Sequence, residues 1–458
     1  MKLPGVVLLW IGLLPAFGQP LSFEEALARM KTGDESLAAA RMLEEARHFE
    51  LRAARGLHLP TVEGAARFNR INEPIVIDLS PARELLIALN PQVPPQAIPP
   101  LRIGVQGQVF WRANLRVTQP LYTGGRISAA KGAAEAQIRD AGGSRREVEL
   151  SLVTQLVQRY YGLQLAMQAR ELRKQILAAM RQHAFNARRL REEGQIALPE
   201  RLHAEVAEAE AERELRAAEY DVQLARTALG LLVPNLGEDA LASSPLFLNR
   251  DIGPLEDFKT ESEAANPNLL RLSAQKNLAQ QGVRAARSDF LPTVAAFGIR
   301  ELWEPDLTVL DPSWIVGFNI QWNFFDGGRK QNQLRAAREQ VRRVESLQSK
   351  AARQVAVRVT QCYQAVQKAR DLYLTLEKTQ ALAEENVRVR TRAFEEGFAS
   401  SLDVVNAQVS RQAVGLQRLN SAYAYVVALA ELLEASGQSE SFERFRANAD
   451  IYVNQRGS

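Results

Sequence analysis

The sequence predicts a mainly helical protein with a small β part, in which one structural plan occurs twice. Three observations predict this fold class: signatures recur at a fixed distance, two long runs contain no proline, and short segments alternate apolar and polar residues. A fixed distance over about 100 residues indicates rigid helices, because one added residue would rotate everything beyond it by about 100°. The signatures that recur 203 residues apart are Gly124-Gly125-Arg126 with Gly327-Gly328-Arg329, Gln158 with Gln361, Glu192-Glu193-Gly194 with Glu395-Glu396-Gly397, and Tyr220 with Tyr423.

The N-terminal residues 1–18 have the pattern of a secretory signal peptide. Lys2 supplies the positive charge, Gly5 to Leu14 is an apolar stretch too short to span a bilayer, and Ala16-Phe17-Gly18 fits a cleavage site. The single cysteine, Cys362, lies far from the N-terminus. The sequence therefore predicts a secreted chain with no internal disulfide and no lipid anchor on an N-terminal cysteine.

Composition and motifs exclude several function classes. Hydrophobic residues make up 46% of the chain and charged residues 24%, which is typical of an ordered protein rather than a bundle of membrane helices. The formal charge of +4 is small, and the basic residues are interspersed with Glu, so no nucleic-acid surface is expected. We find no nucleophile-elbow, zinc-protease or paired-cysteine motif, and therefore predict no enzyme, cofactor or metal. His183 and His203 have Asn386 and Asn406 as counterparts, which disfavours a metal site.

Each half of the chain begins with a predicted helix. The first helix is expected over Ser22 to Leu57, and the second over Asn266 to Phe290 with Asn266 as its cap. Both run into the sequence Leu-Pro-Thr-Val, where proline ends a helix. These Leu-Pro signatures, at Leu59 and Leu291, are 232 residues apart rather than 203. The first half therefore contains 29 extra residues further along the chain.

The extra residues fall in a proline-rich stretch, residues 73–101. So many prolines predict a surface loop, within which a short helix over Ala82 to Leu89 also fits the sequence. We expect this loop to be the one part of the repeat that is free to change in length.

Two segments with period-two alternation, residues 111–118 and 314–322, predict β-strands. One apolar and one polar face with Trp at the ends is typical of a transmembrane strand beside an aqueous lumen, although amphipathic strands of soluble sheets share the pattern. The predicted partner strands are residues 61–70 and 293–300, so that each half contributes one hairpin. The lumen-lining candidates on the polar positions are Arg112, Asn114, Arg116, Asn319 and Gln321.

Paired glycines follow each of these strands, at Gly124-Gly125 and Gly327-Gly328. Adjacent glycines allow the positive φ that a tight turn from strand to helix needs. Thr123 in the first half and Asp326 in the second can cap the helix that follows.

The proline-free runs, residues 127–193 and 330–396, predict two helices of 67 residues and about 100 Å. Gly142-Gly143 predicts a kink in the first. Each run ends at Glu-Glu-Gly, where glycine stops the helix and a second helix returns, which predicts long antiparallel hairpins with Gly194 and Gly397 at their tips. Heptad spacing indicates side-by-side packing of these helices, through Val153, Leu156, Tyr160, Leu163 and Met167.

Four strands cannot close a sheet in lipid, because the backbone groups at the edges would lack partners. Closure needs about eight strands or more, so several chains must combine. Three chains would give twelve strands, with six similar halves around one axis. Two chains would give eight strands and leave little lumen.

The doubled order of these elements resembles the TolC-type outer-membrane efflux factors over essentially the whole mature chain. The most specific matches are Pro120 to Arg126, Phe325 to Arg329 and Glu395 to Gln408. The resemblance implies a trimeric channel-tunnel, in which a twelve-stranded barrel in the outer membrane continues into an α-helical barrel across the periplasm. It also implies an inner-membrane transporter and a periplasmic adaptor (membrane fusion protein) that dock near the helical tips.

The resemblance makes the tip residues Gly194, Gly397, Ser400, Ser401 and Asp403 the candidates for adaptor contact. Plain helix capping is the alternative role of the last three. The expected function is passive conduction, with the tips convergent and closed at rest. The alternatives are a periplasmic adaptor, which would carry one helical hairpin, and a periplasmic coiled-coil protein outside the membrane.

These signals divide the chain into five regions. They are a signal peptide 1–18, a first structural repeat 19–235, an inter-repeat linker 236–261, a second structural repeat 262–436 and a C-terminal periplasmic tail 437–458.

Overall fold

The computed structural model describes residues 20–100, 102–237, 240–308 and 310–453. The predicted signal peptide lies outside the described residues. The chain divides into two compact units: the first consists of the stretches up to Glu44, Asp140–Ser273 and Leu347 onwards, and the second of Glu45–Arg139 and Ala274–Ser346.

Long helices dominate the described residues, as the sequence predicts. The helices are α1 Phe23–Gly33, α2 Glu35–Gly56, α3 Ser80–Leu89, α4 Arg126–Glu192, α5 Leu198–Gly230, α6 Leu255–Ala265, α7 Pro267–Ser288, α8 Arg329–Glu395, α9 Ser401–Ala435 and α10 Phe442–Ala447. The strands are β1 Pro20–Leu21, β2 Thr61–Arg70, β3 Ile75–Asp78, β4 Arg102–Gln106, β5 Val109–Tyr122, β6 Leu241–Ala242, β7 Leu246–Leu248, β8 Thr293–Glu301, β9 Trp314–Gln321 and β10 Ile451–Val453. Among these helices, none is both long enough and apolar enough to cross a membrane.

The single helix expected over Ser22 to Leu57 is wrong, because Asp34 divides it into α1 and α2. Asp34 has extended backbone angles, and its carboxylate accepts a hydrogen bond of 2.9 Å from the backbone N–H of Leu37. Asn266 does the same between α6 and α7, where its side chain accepts from the N–H of Asn268 at 3.1 Å. Both helix pairs therefore start and stop 232 residues apart, a repeat that begins earlier than the Leu-Pro signature.

Four strands form one antiparallel sheet in the second unit, in the order β2-β5-β8-β9. The two hairpins join through β5 and β8, which pair from Asn114 opposite Glu301 to Tyr122 opposite Val294. Strands β2 and β9 each have one neighbour in this sheet, so they form its two edges.

The proline-rich stretch contains more structure than the predicted loop. Strands β3 and β4 form a small antiparallel hairpin with α3 between them, close to the predicted short helix. The Arg83 side chain ties α3 to the proline-rich chain, donating to the carbonyls of Pro95 at 2.6 Å and Ile98 at 2.7 Å.

Helix α4 is continuous through Gly142-Gly143, and the kink expected there stays a prediction. These glycines make room for neighbouring helices. A Cβ atom on Gly143 would lie 2.5 Å from Cγ of Arg271, and one on Gly142 would lie 3.3 Å from the carboxylate of Glu44.

The main core of the first unit contains a fully buried cluster of five aromatic residues. Phe23, Tyr160, Tyr161, Phe247 and Phe442 pack with ring centroids 5.2 to 6.2 Å apart. Short strands bring distant parts of the chain to this core, through a parallel β1–β6 pair and an antiparallel β7–β10 pair.

Candidate functional site

All five lumen-lining candidates lie on one face of the sheet. Residues that pair directly across strands point to the same side, and Arg116 of β5 pairs with Ile299 of β8, which pairs with Ile315 of β9. Side chains alternate between the two faces of a strand, so every second residue from Arg116 along β5 and from Ile315 along β9 lies on that same face. Phe297 of β8 also lies there, so the face is polar with apolar insertions. It carries the side chains of Arg112, Asn114, Arg116, Asn319 and Gln321.

The opposite face of the sheet is apolar and exposed on the single chain. Val316, Phe318 and Ile320 of β9 are 70%, 72% and 69% exposed. Phe68 and Trp111, directly opposite each other on β2 and β5, pack with tilted rings and centroids 5.2 Å apart. A continuous exposed apolar surface on a sheet marks an interaction surface, and strands in a membrane present such a surface to lipid.

The segment between β8 and β9 is bound to the neighbouring strand by two carboxylates. Asp306 accepts from the backbone N–H of Trp111 at 2.8 Å and from the Trp303 indole at 2.9 Å. Asp311 accepts from Arg112, and this hydrogen bond holds the pKa of the Asp311 carboxyl below its usual range. Arg112 is therefore not a free lumen charge. Sequence reasoning missed these contacts, because they join residues about 200 positions apart.

The four turn glycines all have positive φ: 61° and 89° at Gly124 and Gly125, and 70° and 84° at Gly327 and Gly328. Gly124 is also confined, since a Cβ atom there would lie 2.9 Å from the carbonyl oxygen of Ser288. The residues before the turns bind the first helical turn as predicted. Thr123 accepts from the N–H of Ile127 at 3.4 Å, and Asp326 accepts from the N–H of Lys330 at 3.2 Å.

The second helical tip is closed by a reciprocal cap. Gly397 turns the chain with a φ of 81°, and Ser400 and Asp403 then form a capping box at the start of α9. The N–H of Asp403 donates to Ser400 Oγ at 3.2 Å, and the N–H of Ser400 donates to the Asp403 carboxylate at 3.0 Å. Hydrogen bonds from Ser400 lower the pKa of the Asp403 carboxyl.

Ser401 is fully buried, which corrects its expected place on an adaptor-facing surface. Its hydroxyl oxygen lies 2.8 Å from Nε2 of His183 on α4, and its N–H donates to the Glu200 carboxylate on α5 at 2.6 Å. These bonds join the tips of the two helical hairpins. The role of Glu200 was missed from the sequence, although an acidic residue in a first helical turn is a usual partner for free N–H groups.

An apolar cluster surrounds this junction. The His183 ring packs edge-on against Phe394 of α8 with centroids 4.8 Å apart, beside Ala184, Ala204 and Val404. Burial lowers the pKa of His183, and the nearby Glu200 carboxylate opposes that shift. His203 is exposed, and among the residues described no group of potential metal ligands comes together.

The first tip is simpler than the second. Gly194 turns the chain with a φ of 74°, and α5 then begins at Leu198 with Pro199 in its first turn. The residue before it, Ala197, makes no side-chain cap. Both Gly194 and Gly397 are exposed on the single chain.

Comparison with known proteins decides the family. The family model described as outer membrane efflux protein matches residues 26–233 and 260–438, most of the chain. The chain belongs to the outer membrane efflux protein family. This membership places it in the outer membrane and removes the adaptor and the soluble coiled-coil protein as alternatives.

Individual relatives of this efflux family are distant in sequence and similar in fold. The outer membrane efflux protein BepC of Brucella suis is 25% identical over 335 residues, which is 71% of this chain and 72% of BepC. The crystal structure of VceC from Vibrio cholerae gives a TM-score of 0.71 at 18% identity, over 91% of this chain and 96% of VceC. The open state of the Neisseria gonorrhoeae MtrE channel gives 0.72 at 19% identity, over 91% of this chain and 89% of MtrE.

Proposed function

We propose that the protein is the outer-membrane exit duct of a tripartite efflux or type I secretion system. Substrate passes through it passively, and an inner-membrane pump supplies the energy. The proposal includes no enzymatic activity and no cofactor.

The observation that carries this proposal is the incomplete sheet. Its polar and apolar faces suit an aqueous lumen on one side and lipid on the other, and its edges β2 and β9 lack second neighbours. Three copies joined edge to edge, β9 of one to β2 of the next, give a closed twelve-stranded barrel. Closure removes every unpaired edge, which is a condition for strands in a bilayer.

The helical tips are the proposed docking site of a periplasmic adaptor and its transporter. Phe398, 84% exposed, and Leu402 follow the second tip, while Leu198 and Leu202 follow the first. Exposed apolar side chains at two helix starts suit a partner that packs helix against helix. Ser400 and Asp403 contribute by fixing the turn, since their polar groups already bind each other.

The gate is proposed at the same end. Ser401, His183 and Glu200 hold the two hairpins of each chain together, so a partner that separates the hairpins must break these contacts. The substrate is set by the pump rather than by the duct, because the sheet's polar face offers no convergent binding cluster among its described residues.

Planar-bilayer conductance of the detergent-purified protein tests the proposal, with native mass spectrometry of the same sample. We expect a trimer with low resting conductance. Glu200→Ala combined with Ser401→Ala should raise that conductance, because the tip contacts are lost. An inserted trimer that stays silent with both tip contacts removed would refute the duct.

A further inference from the structure

A small cavity lies at the second strand-to-helix turn, where β9 passes into α8. We call it the turn cavity. Its volume is 150 Å³, and it is partly open to the surface. Aromatic rings and two oppositely charged side chains are among the groups that line it, including Phe290, Trp322, Asn323, Phe324, Asp326 and Lys330. All of these residues belong to the second unit, so one body of the chain forms the whole cavity.

Lys330 is a buried cation in the turn cavity. The residue is 7% exposed, and its ammonium donates to the backbone carbonyl of Asn323. Of the carboxylates that the structure describes, Asp326 included, none forms an ion pair with this ammonium. An ammonium has three N–H donors, and a buried charge is costly unless it is paired and hydrogen-bonded. Two of the Lys330 donors are therefore available to an anionic group of a ligand.

Asp326 brings the opposite charge to the same cavity. Its side chain is 9% exposed and lies 3.5 Å from Nε of the exposed Arg329. Its carboxylate also accepts from the backbone N–H of Lys330 at 3.2 Å, which leaves further lone pairs on the two oxygens. A buried cation and a buried anion thus line one cavity without neutralising each other. Such an arrangement is complementary to a zwitterion, whose two charges are also held apart.

The first strand-to-helix turn shows that neither charge is needed to make this turn. The residues 203 positions before Asp326 and Lys330 are Thr123 and Ile127. Thr123 caps its helix as Asp326 does, and Ile127 is buried as Lys330 is. The paired glycines of both turns have positive φ. The fold is therefore made with neutral residues in one half, and the charges of the other half indicate a binding role.

The rim of the turn cavity indicates a lipid as the source of the zwitterion. Phe324 and Phe325 are 80% and 85% exposed. In the sequence, Trp322 and Phe324 continue the alternation of Phe318 and Ile320, which lie on the apolar face of the sheet. The ring centroids of Trp322 and Phe324 are 4.5 Å apart. Aromatic residues concentrate where a membrane-spanning segment meets the layer of lipid headgroups.

We propose that the turn cavity binds the headgroup of a phospholipid that carries a primary amine, from the membrane leaflet beside the strand-to-helix turns. The lipid phosphate accepts from the Lys330 ammonium, and the headgroup amine donates to the Asp326 carboxylate. The Trp322 ring adds a cation–π contact to the amine. The acyl chains pass the exposed Phe324 and Phe325 onto the apolar face of the sheet. The proposal rests on the outer-membrane location and is independent of what the duct conducts.

Native mass spectrometry of the intact, detergent-purified protein tests the site. The protein is stripped of lipid and titrated with dioleoyl phosphatidylethanolamine, with dioleoyl phosphatidylglycerol, or with phosphoethanolamine, which has no acyl chains. We expect one phosphatidylethanolamine to bind per chain, more tightly than phosphatidylglycerol, because only the amine can pair with Asp326. Phosphoethanolamine should bind more weakly than either lipid, since the apolar contacts are missing.

Two variants take the residues of the first turn, which should preserve the fold. Lys330→Ile should weaken the binding of phosphatidylethanolamine about tenfold or more, the effect of one charge-assisted hydrogen bond. Lys131→Ile is the matched control and should leave the affinity unchanged, because it removes the same charge from a partly exposed position near the first turn. Asp326→Thr keeps a helix cap and should abolish the preference for the amine over phosphatidylglycerol.

Four results would overturn the proposal. They are a wild type that binds no lipid, a Lys330→Ile variant with wild-type affinity, a preference for the amine that survives Asp326→Thr, and phosphoethanolamine that binds as tightly as the whole lipid. The last would replace the lipid by a soluble ligand, and the first would mean that another group, such as a second copy, covers the cavity. Should Lys330→Ile fail to fold, Asp326→Thr still decides the site. The proposed duct stands in every case, because conduction is measured separately.

Discussion

The two helical hairpins have equal long helices and unequal tips. The second tip has a full capping box and receives Glu200 from the first hairpin, whereas the first tip has no side-chain cap. Tyr160 and Tyr363 differ in the same way. Tyr160 is fully buried, and its hydroxyl donates to Leu21 and accepts from Ser244, while half-buried Tyr363 makes one bond to Gly253. Duplication has thus kept length, while contacts have diverged because each half meets different neighbours.

The largest expected effect comes from a change that makes the long helices α4 and α8 unequal in length. One alanine inserted in α8 between Ala369 and Arg370 rotates the rest of the helix by about 100°, so Phe394 no longer reaches the tip cluster. We expect loss of nearly all trimer from outer-membrane fractions on native gels. The matched control, one alanine inserted between Val93 and Pro94, should leave the yield unchanged, since a loop absorbs length. Equal yields from the two insertions would contradict the distinction.

A smaller effect separates the two tyrosines. Tyr160→Phe leaves the buried N–H of Ser244 without its partner, whereas the Leu21 carbonyl still accepts from the N–H of Ser243. The loss should cost about 1–3 kcal/mol of unfolding free energy. Tyr363→Phe loses one half-buried bond and should cost about 0.5–1.5 kcal/mol. The unfolding midpoints of the trimer in detergent, followed by circular dichroism, give the order. A larger loss at Tyr363 would reverse the comparison.

The caps give a third difference. Ser400→Ala removes the side chain that accepts from Asp403 and should cost about 1 kcal/mol in the same unfolding measurement. Ala197→Ser places a hydroxyl at the equivalent position of the first tip and should stabilise it, by about 1 kcal/mol at most. A serine at position 197 that brings no gain in stability would contradict the conclusion that the start of α5 lacks a cap.

The smallest expected effect is a dependence on pH at the tips. Burial lowers the pKa of His183 in the packed tip, so protonation favours the separated state, where the pKa returns to about 6.5. The contribution of His183 is complete above pH 6.5 and is lost as the pH falls through the lowered value.

Hydrogen exchange of the tip peptides measures this loss. Wild type should exchange faster than His183→Asn at acid pH and match it near pH 8. His203→Asn is the matched control, because His203 is exposed and both histidines have asparagine as counterpart. A tip whose exchange changes with pH equally in wild type and His183→Asn would exclude the imidazole as the cause.

Local patterns predicted the long helices and the strands well. Alternation at Trp111 and Trp314 identified both predicted strands, and both helices that precede the partner strands end a few residues before the Leu-Pro signatures. These signals act over a few residues, because strand period, glycine φ and proline geometry are local properties. The break at Asp34 could have been found from the 232-residue offset to Asn266, but Asp inside a helical pattern is an ambiguous signal by itself.

Contacts between distant residues could not be predicted in this way. The bond between His183 and Ser401, the carboxylates Asp306 and Asp311, and the short strands of the first unit each depend on how separate helices or loops align. The sequence allowed Ser400 to be predicted as a helix cap, because capping depends on local residue types. It did not allow the burial of the neighbouring Ser401 to be predicted, because that burial depends on the hairpin packed beside it.

The open edges of the β2-β5-β8-β9 sheet expose a newly exported chain to aggregation before it assembles. Before assembly, each edge presents unpaired N–H and C=O groups next to an exposed apolar face, the combination that leads strands to pair with unintended chains. If the chain assembles as the proposed trimer, it must meet two further copies before it meets other unfolded protein. Yield should fall when synthesis outpaces assembly, even for a sequence whose helices fold without fault.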